Sequence, residues 1–157
     1  MSNIEIRRLV EKDLESLAKL YKQFWSVESD QKMMKGKFQE LNNNPKYIIL
    51  CATINKDVVG SIMGIICDEL YGQCRPFLIM EDLIVDKPYR KKGIGKALMT
   101  ELENFAVDNG CTQIQFITEN DRQDAISFYE SLGYNKRTHI GFKKTLSNST
   151  SAPAIIS

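Results

Sequence analysis

The chain has 157 residues, 43% of them apolar and 26% charged, which is the size and balance of one ordinary globular domain with a core of its own. A formal net charge of +1 removes the bulk-charge argument for a nucleic-acid or anionic-membrane partner. No apolar run approaches a membrane span, and four cysteines, at 51, 67, 74 and 111, with His139 as the single histidine, are too scattered to hold a metal.

The opening residues, Met1 to Arg8, contain no apolar stretch of the kind that drives secretion, so a cytoplasmic location is expected. Cys51 and Cys67 lie inside apolar runs and read as buried thiols. Alternation around Ile4 and Ile6 predicts a first strand. Asp13 is a candidate cap for a helix whose apolar face is Leu14, Leu17, Ala18, Tyr21, Phe24 and Trp25. A weaker helix is expected from about Asp30 to Leu41, ended by Asn42-Asn43-Asn44-Pro45.

Tyr47 to Ile54 and Val58 to Cys67 read as a hairpin joined at Asn55-Lys56-Asp57. After a polar loop, Asp68 to Pro76, a third apolar run spans Phe77 to Val85 and is broken only by Glu81-Asp82. A helix follows, with Ile94, Ala97, Leu98, Leu102, Phe105 and Ala106 on one face and Asn109-Gly110 at its end. Ile114, Phe116 and Thr118 predict a strand. The next helix is capped by Asn120 or Asp121, carries Ala125, Phe128, Tyr129 and Leu132, and stops at Gly133. Tyr134 to Leu146 can supply one or two last strands. The order is β-α-α-β-β-β-α-β-α-β, a single α/β domain over residues 1–146 with a mixed sheet. Residues 147–157, rich in Ser, Ala and Asn, read as a disordered tail.

The sharpest local feature is Arg90-Lys91-Lys92-Gly93-Ile94-Gly95-Lys96, between a strand and a helix. Its glycines let backbone approach a ligand. The helix start offers unpaired N–H groups and the positive dipole end, and four basic side chains add charge, so the segment suits phosphate. It is neither a Walker A loop, since Arg90 stands where the first glycine belongs and Ala97 follows the lysine, nor a dinucleotide loop, since Leu98 holds the third glycine position. On spacing alone, a basic surface turn is an equal alternative.

Arg90-x-x-Gly93-x-Gly95 after Leu83-Ile84-Val85 resembles the coenzyme A motif of the GNAT acetyltransferase superfamily, Gln/Arg-x-x-Gly-x-Gly/Ala. Asp124 to Tyr134 (Asp-Ala-Ile-Ser-Phe-Tyr-Glu-Ser-Leu-Gly-Tyr) resembles that family's second motif, Ala-x-x-Phe/Leu-Tyr-x-x-x-Gly-Phe/Tyr. The likeness runs from about residue 4 to 146. It implies a mixed, mostly antiparallel sheet flanked by helices, and acetyl-CoA as co-substrate with no metal. Leu83, Ile84 and Val85 would pair with the pantetheine arm. The amides of Lys91, Lys92, Gly93, Ile94, Gly95 and Lys96 would hold the pyrophosphate, and an amide near Leu83 would polarise the thioester. Tyr129 would protonate the leaving thiolate. Many members carry Asn three residues before the second motif's Ala. Arg122 stands there, and Asn120 is the nearest substitute for the cofactor contact.

An attacking amine arrives as ammonium, with a pKa of about 10.4 for a lysine-like group, and must lose a proton. Glu81 is the candidate base. Met80 to Val85 resembles the Leu-Glu-Asp-Ile-x-Val segment of polyamine acetyltransferases, where the Glu has that role. Alternation sets Glu81, Leu83 and Val85 on one face and Asp82 on the other, and apolar walls around Glu81 would raise its pKa. A solvent-facing strand charge and a core tyrosine are the plain alternatives for Glu81 and Tyr129. The expected function is transfer of an acetyl group to a primary amine of a small molecule or protein, against a silent coenzyme A-binding sensor. No nucleic-acid or membrane partner is expected, and a homodimer is left open. Glu28, Asp30, Asp68 and Glu69 are candidates to attract a cationic acceptor, or ordinary surface acids.

Overall fold

The computed structural model describes residues 3–146. It divides into two compact units, one reaching to Gln115 and one beginning at Phe116. The first holds one sheet of β1 (Glu5–Arg8), β2 (Tyr47–Ile54), β3 (Asp57–Cys67), β4 (Phe77–Val85) and β5 (Ile114–Gln115), in that spatial order. Pairing is antiparallel from β1 through β4, and β5 joins β4 in parallel. The same unit contains α1 (Leu14–Trp25), α2 (Gln31–Asn42) and α3 (Ile94–Asp108); the second contains α4 (Gln123–Ser131). The architecture is the mixed, mostly antiparallel α/β sheet with flanking helices that the sequence implies.

Helices cover both faces of the sheet, and their buried residues overlap the predicted stripes without matching them: Leu20 and Met99 are added, while Tyr21, Phe24, Trp25, Ala97 and Phe105 are only half-buried. Leu14, Leu17 and Leu20 of α1 and Phe38 of α2 pack with Cys51, Val58 and Ile84 of the sheet. On the other face α3 presses its buried residues, Ile94, Leu98, Met99, Leu102 and Ala106, against β3. That approach needs glycine. A Cβ on Gly64 would meet Leu102 Cδ1 at 2.4 Å and Ile48 Cγ2 at 3.0 Å.

Turn chemistry explains the element ends. Asn55 and Lys56 both take positive φ, 52° and 74°, the backbone of a tight hairpin turn. At the end of α3, Cys111 N–H bonds Ala106 O while Gly110 N–H bonds Val107 O, with Gly110 at φ 72°. This is a left-handed cap that satisfies the last carbonyls.

Several expectations are corrected. Asp13 makes no capping bond to α1. Its carboxylate, 4% exposed, instead takes both terminal nitrogens of Arg7, at 2.7 and 3.0 Å, and the Val10 N–H. Burial alone would raise its pKa, but the guanidinium and the backbone donor outweigh burial and hold it low. Cys67 is half-buried rather than buried; Cys51 is fully enclosed, and burial lifts its thiol to about 11. Neither Asn120 nor Asp121 caps α4, where Arg122 occupies the cap position. The strand at Ile114 stops at Gln115, and no strand forms over Tyr134 to Leu146 among the described residues. Ile140 and Phe142 are 83% and 93% exposed. Side-chain composition can suggest a strand, but ladder bonds make one. The expected tail, 147–157, lies outside the described residues. No described helix is long and apolar enough to cross a membrane.

Candidate active site

The site begins at the free edge of β4. β5 pairs only with Leu78 and Ile79, so beyond Ile79 this edge has no strand partner among the described residues. Asp86 N–H bonds Val59 O at 2.8 Å, which makes that pair the bonded one. Its neighbour, Val85 opposite Gly60, is then a non-bonded pair, so the N–H and C=O of Val85 point out from the sheet. Arg90 Nε donates to this carbonyl at 2.9 Å.

Between Glu81 and Ile84 the strand carries a β-bulge: Ser61 faces Ile84 and Met63 faces Glu81, so two residues of β4 oppose Ile62 alone. Asp82 takes the left-handed conformation, φ 55°. The extra residue reverses the alternation. Ser61 lies on the α1 side, close enough to Tyr21 to influence its hydroxyl, while Gly60 faces Ile94 and Leu98 of α3. Cross-strand partners share a face, which puts Glu81 and Ile84 toward α1 and Val85 toward α3. Glu81 and Val85 therefore do not share a face, as strict alternation had them.

The two carboxylates differ in surroundings. Glu81 is exposed, so the expected apolar enclosure does not form around it, and Asp82 is half-buried. Burial, then the neighbouring charge of Glu81, pushes the Asp82 carboxyl above its ordinary range. Tyr21 lies within electrostatic reach. Burial first, then Asp82, raises its hydroxyl well above the usual value, with Ser61 acting the other way. Tyr21 stacks edge-on with Trp25 at 5.2 Å, and Trp25 with Phe24 at 4.9 Å, giving an aromatic side to this end of α1.

After β4, Lys87–Tyr89 form a 3-10 turn containing Pro88. Lys91 has φ 60° and Gly93 has φ 82°, a conformation natural to glycine. Gly93 is the N-cap of α3 and no side chain caps that end. The first amides of the helix are thus left for a ligand. Arg90, Lys91, Lys92 and Lys96 are exposed around them, and Lys92 Nζ rests 5.3 Å from the Tyr89 ring centroid. An uncapped helix start, a left-handed glycine with nothing within 4 Å of an added Cβ, and four cations fit a pyrophosphate.

In the second unit, α4 ends as the Gly133-Tyr134 pair predicts. Tyr134 N–H bonds Tyr129 O and Gly133 N–H bonds Glu130 O, with Gly133 at φ 90°, a glycine-capped terminus. This fold-back brings Tyr134 beside Phe116 at 5.1 Å, and Phe116 against Tyr129 at 4.5 Å. Burial raises the Tyr129 hydroxyl above its ordinary value, with Arg122 pulling the other way, so Tyr129 stays protonated at neutral pH. Asn120 is exposed, and its carbonyl accepts from Gln123.

The model of the Acetyltransferase (GNAT) family matches residues 14–134. The chain belongs to the GNAT acetyltransferase family. An acetyltransferase of Sodalis glossinidius (strain morsitans) is 33% identical over 102 residues, 65% of this chain and 66% of that protein. Among solved structures, an acetyltransferase of Trypanosoma brucei superposes with TM-score 0.81 at 23% identity, covering 92% of this chain and 100% of the other. An aminoglycoside N-acetyltransferase in complex with CoA gives TM-score 0.78 at 18% identity, covering 92% and 96%.

Within this GNAT chain, the sequence-named residues Glu81, Leu83, Ile84, Val85 and Arg90 to Lys96 fall together along β4 and the start of α3, while Tyr129 and Asn120 belong to the second unit. The acids proposed for acceptor recognition are largely engaged elsewhere: Glu28 with Lys22, Asp68 with Lys46, and Asp30 as the α2 cap to Met33 N–H. Sequence reading missed the neighbourhood of Tyr21 and Asp82, since Tyr21 reads as a core residue at helical spacing. No motif surrounds Tyr21, and the bulge at Asp82 is not visible in the linear pattern. Among the described residues, no three His, Cys, Asp or Glu gather as a metal site requires.

Proposed function

We propose that the chain moves an acetyl group from acetyl-CoA to a primary amine of a small molecule or protein by direct attack. The observation that carries this reading is the continuity of the free β4 edge with the uncapped start of α3. One presents outward backbone groups at Val85 and the other a cationic phosphate cradle. Leu83, Ile84 and Val85 hold the pantetheine arm as an added strand. The amides from Lys91 to Lys96, with Arg90, hold the pyrophosphate, and Asn120 takes the remaining cofactor contact.

Glu81 is the general base in this proposal, reached by solvent and so able to work through a water, with Asp82 beside it. Tyr129 is the general acid, a role its raised pKa supports by keeping the proton available. The aromatic end of α1, at Tyr21, Phe24 and Trp25, supports an acceptor whose ammonium is carried on an apolar stem. The four free cysteines support work in the reducing cytoplasm.

The test is a thiol-release assay with acetyl-CoA across a panel of amines. Amine-dependent release is expected. A chain that binds coenzyme A yet releases no thiol with any amine would be a silent binding module instead.

A further inference from the structure

The connection from β4 to α3 is fastened by its own strand and turn. Asp86 N–H bonds Val59 O at 2.8 Å, Tyr89 N–H bonds Asp86 O at 2.9 Å, and Arg90 N–H bonds Lys87 O at 3.3 Å. A further fastening comes from α1, more than sixty residues earlier in the chain. The Gln23 side-chain amide donates to Asp86 Oδ1 at 2.8 Å and accepts the Lys87 N–H at 3.3 Å. With donor and acceptor both engaged, a planar amide has one orientation, and the connection has one seat against the helix. The helix is itself anchored, since the Val58 N–H of β3 donates to Ser16 Oγ at 3.2 Å, so Gln23 works from a fixed base.

We propose that Gln23 is a positioning residue for the cofactor loop. By holding Asp86 and Lys87 against α1, it sets where Arg90 to Lys96 and the first amides of α3 meet the pyrophosphate. The proposal rests on the reading of that loop as the coenzyme A cradle. Displacement of a few tenths of an ångström is enough to matter, because hydrogen bonds to phosphate oxygens demand both distance and direction. Gln23 itself touches no ligand in this account.

The experiment is coenzyme A binding by calorimetry, with the melting temperature of each protein measured alongside. Gln23→Met keeps length and charge but removes both bonds, and Gln23→Glu sets a carboxylate against Asp86. Each is expected to weaken coenzyme A by about tenfold, the worth of one to two ordinary hydrogen bonds, with Tm nearly unchanged. In Q23E/D86N the donor and acceptor are exchanged at the original net charge, and binding is expected to return to within about twofold of the native value. Q23M/D86N has no such exchange and stays weak. If Q23M binds as tightly as the native chain, or if Q23E/D86N remains as weak as Q23E, the proposal is overturned. A native chain that takes up no coenzyme A removes the loop reading and this proposal together, whereas native binding with an unaffected Q23M removes the Gln23 role alone.

Discussion

Asp82 holds φ 55° in the middle of a strand, where a non-glycine residue costs of order 1–3 kcal/mol. The cost is met by the ladder bonds on either side, and it directs a half-buried carboxyl toward Tyr21 while Glu81 stays in solvent. Two adjacent carboxylates thus stand in unlike settings, and only one of them is needed as the proposed base. A base must be ionised to act, so kcat/KM falls as the pH drops through its pKa. With Glu81 as base, Glu81→Gln is expected to lower kcat and abolish the acidic limb of the pH–rate profile, and Asp82→Asn to retain that limb. The reverse pattern, limb kept in E81Q and lost in D82N, moves the base to Asp82, whose raised pKa would set the limb above the ordinary carboxylate range. Tyr129→Phe deletes the proposed acid while keeping the ring packed against Phe116. It is expected to lower kcat about a hundredfold or more with an unchanged coenzyme A Kd. Undiminished turnover on a working amine would falsify the assignment. Glu81 and Tyr129 are proposed from the segments that resemble the family; the bulge beside Glu81 was not legible, because a register shift depends on the facing strand.

At the scale of elements, the helices announce themselves and the strands only half do. α1 and α3 bury the centre of the stripes their spacing marks out, Leu14, Leu17 and Ala18 in one and Ile94, Leu98, Leu102 and Ala106 in the other, since a helix makes its backbone bonds internally and needs only one apolar face. The segment from Tyr134 to Leu146 could supply strands by its composition, yet no strand forms there among the described residues, and Ile140 and Phe142 stand in solvent. The close contact of α3 with β3 runs through Gly64, where Leu102 Cδ1 occupies the space a Cβ would take. Gly64→Ala is expected to cost about 1–3 kcal/mol by overpacking, read as a Tm several degrees lower. An unchanged Tm would mean that Leu102 rotates aside without loss.

Across the whole molecule, the ligand is expected to add stability that the bare chain lacks. A compound that binds only the folded state at one hundred times its Kd contributes about 2.7 kcal/mol, or about 5–10 °C in Tm for a chain of this size. Coenzyme A should produce that shift, reduced by added salt because exposed Arg90, Lys91, Lys92 and Lys96 provide the attraction; no shift at saturating coenzyme A would refute the cradle. The sequence by itself determined the family, the glycine turn that opens α3 and the glycine-capped end of α4, because these are local: Gly93 and Gly133 adopt left-handed backbone where neighbours in the chain require it. Tertiary structure alone decided the seat of the β4–α3 connection against Gln23, the burial of Asp82 beside Tyr21, and the edge of β4 left without a strand partner beyond Ile79 among the described residues. Each depends on which distant segment arrives opposite and in what register. A linear pattern carries the side chain but not its partner.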